Sequence, residues 1–214
     1  MFSTETLINL LYMFPSILIA LSFHEYCHGL ASTLLGDDIP RLQGRLSLNP
    51  LRHLDPWGTV FMLITSIGGA GFGWAKPVMV NPSRYKCNRK LGMMIVALAG
   101  PLANVFLALL GGYICRLITS GLIPYNEFFH LFFYLFVLVN ISLAAFNILP
   151  IPPLDGSKVL AIILPNKYAN QIYSASQYFI IILLILSFTG LLGHIMNPII
   201  NGLLAFVNFA TNLF

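Results

Sequence analysis

The chain has 214 residues, 57% of them apolar and 8% charged, with a mean hydropathy of +0.83. Seven acidic and eleven basic groups cannot cover a water-soluble globule of this size, and a disordered chain needs low hydrophobicity and high charge instead. The net charge of +4 does not point to nucleic acid, because no Lys or Arg precedes Arg41 and the cations fall in short gaps between apolar runs, as in a membrane protein.

The N-terminus carries Glu5 in place of a basic leader region, and the first apolar run, Leu7 to Leu35, reads as a retained spanning helix. A polar stretch follows from Gly36 to Asp55. Within it Leu42, Leu46 and Leu48 alternate with Gln43, Arg45, Ser47 and Asn49, a period of two that predicts a strand pairing with Lys76 to Asn81. The run Trp57 to Ile67 is short for a span and ends in Gly68, Gly69, Gly71 and Gly73. Longer apolar segments cover Leu91 to Ile118, Phe128 to Pro150, Ile172 to Gly190 and Ile195 to Phe214. The expected fold is an all-α polytopic membrane protein forming a single domain over 1–214. It has about five transmembrane helices, a re-entrant segment and a small membrane-associated β-hairpin or sheet.

Charge decides how the Trp57 to Ile67 run is placed. If it dips in and returns, every cation except Arg116 lies on one face; if it crosses, the asymmetry shrinks to seven against four. The positive-inside rule favours the re-entrant arrangement, with that face cytoplasmic. The three cysteines, Cys27, Cys87 and Cys115, are odd in number and form no disulfide framework.

The chemistry sits in His24-Glu25-Tyr26-Cys27-His28. On a helix this HExxH pattern puts two imidazoles on one face, able to share a zinc ion, with the adjacent glutamate as general base toward water at the metal. Three ionisable residues in five positions of a spanning helix are too costly to face lipid, so they mark a functional site. A zinc hydrolase uses three protein ligands, and Asp155, after the helix-stopping Pro150, Pro152 and Pro153, is the candidate third. Its competing role is to cap the following helix. With a re-entrant Trp57 to Ile67 run, His24, His28 and Asp155 reach the same side of the membrane.

The HExxH span, Gly44 to Gly58, Ala75-Lys-Pro-Val78, Ala99-Gly-Pro-Leu-Ala-Asn104 and Asn147 to Gly156 together resemble the site-2 proteases, intramembrane zinc metalloproteases that cut membrane-spanning segments of other proteins. The resemblance implies His24, His28 and Asp155 as ligands of one zinc per chain, Glu25 as catalytic acid/base, and Asn147 as the residue that holds the substrate carbonyl or its oxyanion. It further implies a single-span membrane protein as substrate. The chain lacks the PDZ insertion and the CBS extension of some relatives, as expected of a minimal member. It would be a multi-pass protein of a bacterial or archaeal cell membrane with its active site toward the cytoplasm.

Read as a residue alone, Asn147 shares a helix face with Asn140 and fits an interhelical hydrogen bond as well as an oxyanion contact. Asn104 reads as packing glue, Cys27 as a small packing residue, His53 and Asp55 as a membrane-surface pair, and Lys158 as a face charge. The glycines from Gly68 to Gly73 follow an apolar run and open no helix, so neither nucleotide nor nucleic acid is expected as a partner. Two rival functions are a metal transporter and a catalytically silent homologue that binds membrane proteins. Transport would want ionisable groups at several depths, and a silent homologue would have lost Glu25 or a ligand.

Overall fold

The computed structural model describes residues 4–60 and 75–213. Helix α1 (Thr4–Leu34) runs for 31 residues. It accommodates Pro15, and the hydroxyls of Ser16 and Ser22 donate back to the carbonyls of Tyr12 and Leu18 at 3.0 and 2.6 Å, the internal satisfaction that an apolar surround requires. It closes on Gly36, whose φ of 110° suits only glycine. There the Gly36 N–H bonds the Thr33 carbonyl and the Asp37 N–H bonds the Ser32 carbonyl, a Schellman end.

A short helix α2 (Ile39–Leu42) and extended and 3-10 segments lead to α3 (Arg89–Thr119), capped by the Asn88 side chain. Then come α4 (Glu127–Ile148), capped by Asn126, and α5 (Asp155–Ile163). Helix α6 (Asn166–Ser174) passes through a 3-10 turn into α7 (Phe179–Phe188), and α8 (Leu191–Thr211) ends the fold. Among the described residues, four stretches are long and apolar enough to cross a membrane: Arg89–Thr119, Glu127–Ile148, Lys167–Phe188 and Leu191–Thr211. They bear out a mostly helical, multi-pass protein.

Helix α3 is central, touching α1, α4, α5 and α8. Small residues make this possible. A side chain on Gly111 would meet Phe136 at 3.0 Å and Val137 at 3.1 Å, and one on Gly112 would meet Thr211 and Val207 at 3.0 and 3.1 Å. Close backbone approach of this kind is how helices associate where lipid supplies no hydrophobic drive. Around the contact Ala108, Val137, Ile141 and Val207 form a buried cluster. A second cluster, Leu149, Leu154 and Leu192, receives Phe179, Leu183 and Leu186 of α7.

The expected β-hairpin is not present among the described residues. Among the described residues the sole pairing is one antiparallel bridge between Leu54 and Ala75, and no sheet forms. The alternating stretch starts in α2, where Pro40 sits in the first turn, and is broken at Gly44, φ 66°, before Pro50 opens a 3-10 turn. Arg45 then donates to the Arg52 carbonyl and folds the stretch on itself. The segment from Lys76 to Asn81 is extended, but its N–H groups find other acceptors. Lys76 donates to the His53 carbonyl at 2.8 Å, Val78 to Glu25 at 3.0 Å and Asn81 to Asp37 at 2.7 Å. The run Trp57 to Ile67, expected to be re-entrant, lies largely outside the described residues; 56–60 are helical.

Gly111→Leu should disrupt the α3–α4 contact at a cost of about 1–3 kcal/mol, read as a lower unfolding temperature in detergent. Gly202→Leu, where nothing lies within 4 Å, should leave that temperature unchanged.

Candidate metal centre

Helical spacing stacks His24 and His28 on the face of α1 that meets α3, their rings edge to face with centroids 4.6 Å apart. Both are buried, at 4% and 7% exposure. The facing residue of α3 is Gly100. A Cβ there would collide with the His28 Nε2 and lie 2.5 Å from His24 Cε1 and Nε2. Glycine is required here for the room it leaves.

Each imidazole is held from behind. The Nδ1 of His28 stands 2.6 Å from the Val96 carbonyl and that of His24 stands 2.6 Å from Asn104 Oδ1. The Asn104 amide nitrogen donates to the Ala20 carbonyl at 3.2 Å and to Asn140 Oδ1 at 3.0 Å, and Asn140 donates to the Phe136 carbonyl at 2.9 Å. Asn104 and Asn140 are both fully buried. A polar chain therefore runs from α4 through α3 to the first histidine on α1. It assigns the protons: both Nδ1 atoms face acceptors and carry hydrogen, so both Nε2 atoms present lone pairs.

Asp155 opens α5, preceded by the chain from Pro150 to Leu154. Its side chain does not cap the helix. It turns to α1, with Oδ2 3.0 Å from His28 Nε2 and 3.2 Å from His24 Nε2, while Oδ1 accepts from Lys158 Nζ at 2.7 Å. Gly156 lets this helix start abut the end of α4, since a Cβ would collide with the Ile148 carbonyl. Its role is close approach, with no positive φ involved.

The residues fit a metal ion. Two imidazole lone pairs, 3.0 Å apart, converge with a carboxylate oxygen in a buried space, an arrangement of acceptors that repel unless a cation lies among them. Donor atoms of a tetrahedral zinc stand about 3.3 Å apart, close to what is observed. Among the described residues this is the one group of three His, Cys, Asp or Glu side chains that can share an ion.

Glu25 lies beside the cluster, half-buried, with Oε2 accepting from the Val78 N–H. Asn147 is at the end of α4, half-buried, its amide donating to the Leu143 carbonyl at 3.0 Å. The structure thus shows it bonded within its own helix. His53 is buried at 1% exposure, not at the surface, with Nε2 2.6 Å from the Ser47 carbonyl. Asp55 accepts from the Gly58 N–H. Neither touches the cluster. Sequence reasoning missed Asn104, Gly100 and Lys158 as its supports. A Gly-xxx-Asn pair in one apolar helix and a lysine three residues after the aspartate were the available signals.

His24→Ala, His28→Ala and Asp155→Ala should each deplete bound zinc, measured by elemental analysis of purified protein. Asn104→Ala should weaken zinc by about 10- to 100-fold in chelator competition, as loss of a histidine's orienting partner does.

A model of peptidase family M50 matches residues 111–188, a stretch that includes Asp155. A Bacillus subtilis protein named as a zinc metalloprotease, YwhC, is 34% identical over 195 residues, which are 89% of this chain and 86% of the relative. A Mycolicibacterium smegmatis protein, Rip2, also named as a zinc metalloprotease, is 27% identical over 177 residues, 83% of this chain and 66% of the relative. No solved structure matches. Similarity along nearly the full chain, with a metal-ready cluster among its helices, places this protein in peptidase family M50, the site-2 protease family of zinc metalloproteases.

Proposed function

We propose that this protein is an intramembrane protease that hydrolyses peptide bonds within or near the transmembrane segments of single-span membrane proteins, using one zinc per chain held by His24, His28 and Asp155. The observation that carries the reading is the convergence of those three acceptors among helices apolar enough to span a bilayer, one residue from a glutamate. Zinc, when bound, would polarise the scissile carbonyl and make water a nucleophile near neutral pH. Glu25 would take the proton from the attacking water through a carboxylate oriented by the Val78 N–H, and pass it to the leaving nitrogen. Asn147, on giving up its bond to Leu143, would donate to the developing oxyanion. Lys158 would hold Asp155 by its outer oxygen, leaving Oδ2 for the metal.

A transmembrane substrate hides its carbonyls in its own helix, so it must unwind locally before attack. With the run after Trp57 re-entrant, the cation distribution supports a catalytic face toward the cytoplasm of a cell membrane. A metal transporter is less well supported, because the described ionisable groups that can share an ion form one cluster rather than a path. A silent homologue is disfavoured because Glu25 and all three candidate ligands are in place.

Glu25→Gln should retain zinc and abolish cleavage of a co-expressed single-span substrate, read as a size shift on a gel. Turnover within tenfold of wild type would remove Glu25 as the base. Among substrates, placing Gly or Pro near the scissile position should raise cleavage and replacing such residues by Leu should lower it, because helix propensity sets the cost of unwinding.

A further inference from the structure

A cavity of about 700 Å³ opens on the other side of the extended 76–81 segment from α1. Val78 faces α1, where its side chain packs at Gly29, while the neighbouring Pro77 and Met79 line the cavity. Three cations, Arg45, Arg52 and Lys76, also line it, and among the described residues no acidic one does. No ion pair joins any of the three to a carboxylate among the described residues.

Arg45 is the informative member. It is 7% exposed, and a guanidinium is rarely buried to that degree without an anion. Its Nη1 donates to the carbonyl of Arg52, a neutral partner. Its remaining nitrogens are not sealed off, since the described buried side-chain atoms without a partner are Thr33 Oγ1 and His53 Nδ1. They are open to the cavity. Arg52 likewise spends a guanidinium hydrogen on a neutral acceptor, the Gly44 carbonyl, at 2.9 Å.

The rim is apolar. Leu51 and Met79 are 78% and 61% exposed, a cost in water and the expected arrangement where cations meet the hydrocarbon boundary of a bilayer. The volume exceeds what one inorganic phosphate needs and falls in the range of about 300–1,000 Å³ typical of small-molecule sites.

We infer that this cavity binds the phosphate headgroup of an anionic phospholipid, with Arg45, Arg52 and Lys76 around the phosphodiester and the acyl chains leaving over Leu51 and Met79. Forked guanidinium donors suit phosphate oxygens, and basic pockets at the cytoplasmic membrane face are where such headgroups are recognised.

The test uses the full chain in neutral detergent, titrated separately with phosphatidylglycerol, phosphatidylcholine and inorganic phosphate. Lipid retained per chain is read by native mass spectrometry and unfolding temperature in parallel. Phosphatidylglycerol should be retained in preference to phosphatidylcholine and should raise the unfolding temperature. Arg52→Gln with Lys76→Gln should cut retention about tenfold or more while zinc content holds. These two residues are exposed, so the pair is expected to fold; Arg45→Gln is avoided for its burial. The control pair Arg84→Gln with Lys86→Gln removes the same charge from exposed positions outside the cavity and should leave retention unchanged. Equal loss in the control pair would reduce the effect to general surface charge and overturn the site. Equal stabilisation by inorganic phosphate, or equal retention of phosphatidylcholine, would overturn the lipid assignment.

Discussion

Three lone pairs brought together inside an apolar helix bundle are the constraint on which the rest of this structure depends. His24 Nε2, His28 Nε2 and Asp155 Oδ2 lie within 3.2 Å of one another, and such a set is tolerable only with a cation among them and with every other polar atom in the neighbourhood accounted for. The polar inventory shows that accounting. Val96 and Asn104 take the outer imidazole nitrogens, Asn140 and the Ala20 carbonyl take the Asn104 amide, and Lys158 takes the second oxygen of Asp155. The demand extends to residues with no polar atoms in their side chains, since Gly100 and Gly156 are where they are because a methyl group would occupy the site or push α5 off α4.

The cluster ties together elements far apart in the chain. Helix α1 contributes two of the candidate ligands, α5 the third, α3 the room and one orienting amide, and α4 the amide behind it. In a bilayer, helices gain nothing from burying apolar surface against one another. Here the attraction comes from small-residue contacts at Gly111 and Gly112 and from this buried polar network, so the groups that fit the metal are also part of what assembles the bundle.

How much was legible in the sequence follows from how local each signal is. His24, Glu25 and His28 are readable because their relation is fixed by one helix turn, and Asp155 because prolines stop a long apolar segment just before it. The spans were readable as apolar runs: Leu91 to Ile118 and Phe128 to Pro150 became Arg89–Thr119 and Glu127–Ile148. The segment from Ile172 was harder, since its helical course begins at Asn166 and passes through a 3-10 turn at Ala175–Tyr178. The strand around Leu46 failed because period two over so few residues cannot outweigh Pro40, Gly44 and Pro50. The partners of Asn104 and of the Val78 N–H were illegible for a different reason: each acts on a residue of another element, and nothing in the sequence pairs position 104 with 24 or 78 with 25.

The contact between Glu25 and Val78 is made by main chain, not by a side chain. The amino acid at position 78 can therefore drift without releasing the carboxylate, provided it is not proline, and mutational tolerance there would say nothing about the importance of the contact. Register is another matter. Sliding the segment by one residue in one direction would set Pro77, which has no N–H, opposite the glutamate. The grip of His53 on Lys76 and of Asp37 on Asn81 thus fixes the frame in which an otherwise permissive stretch of backbone is read.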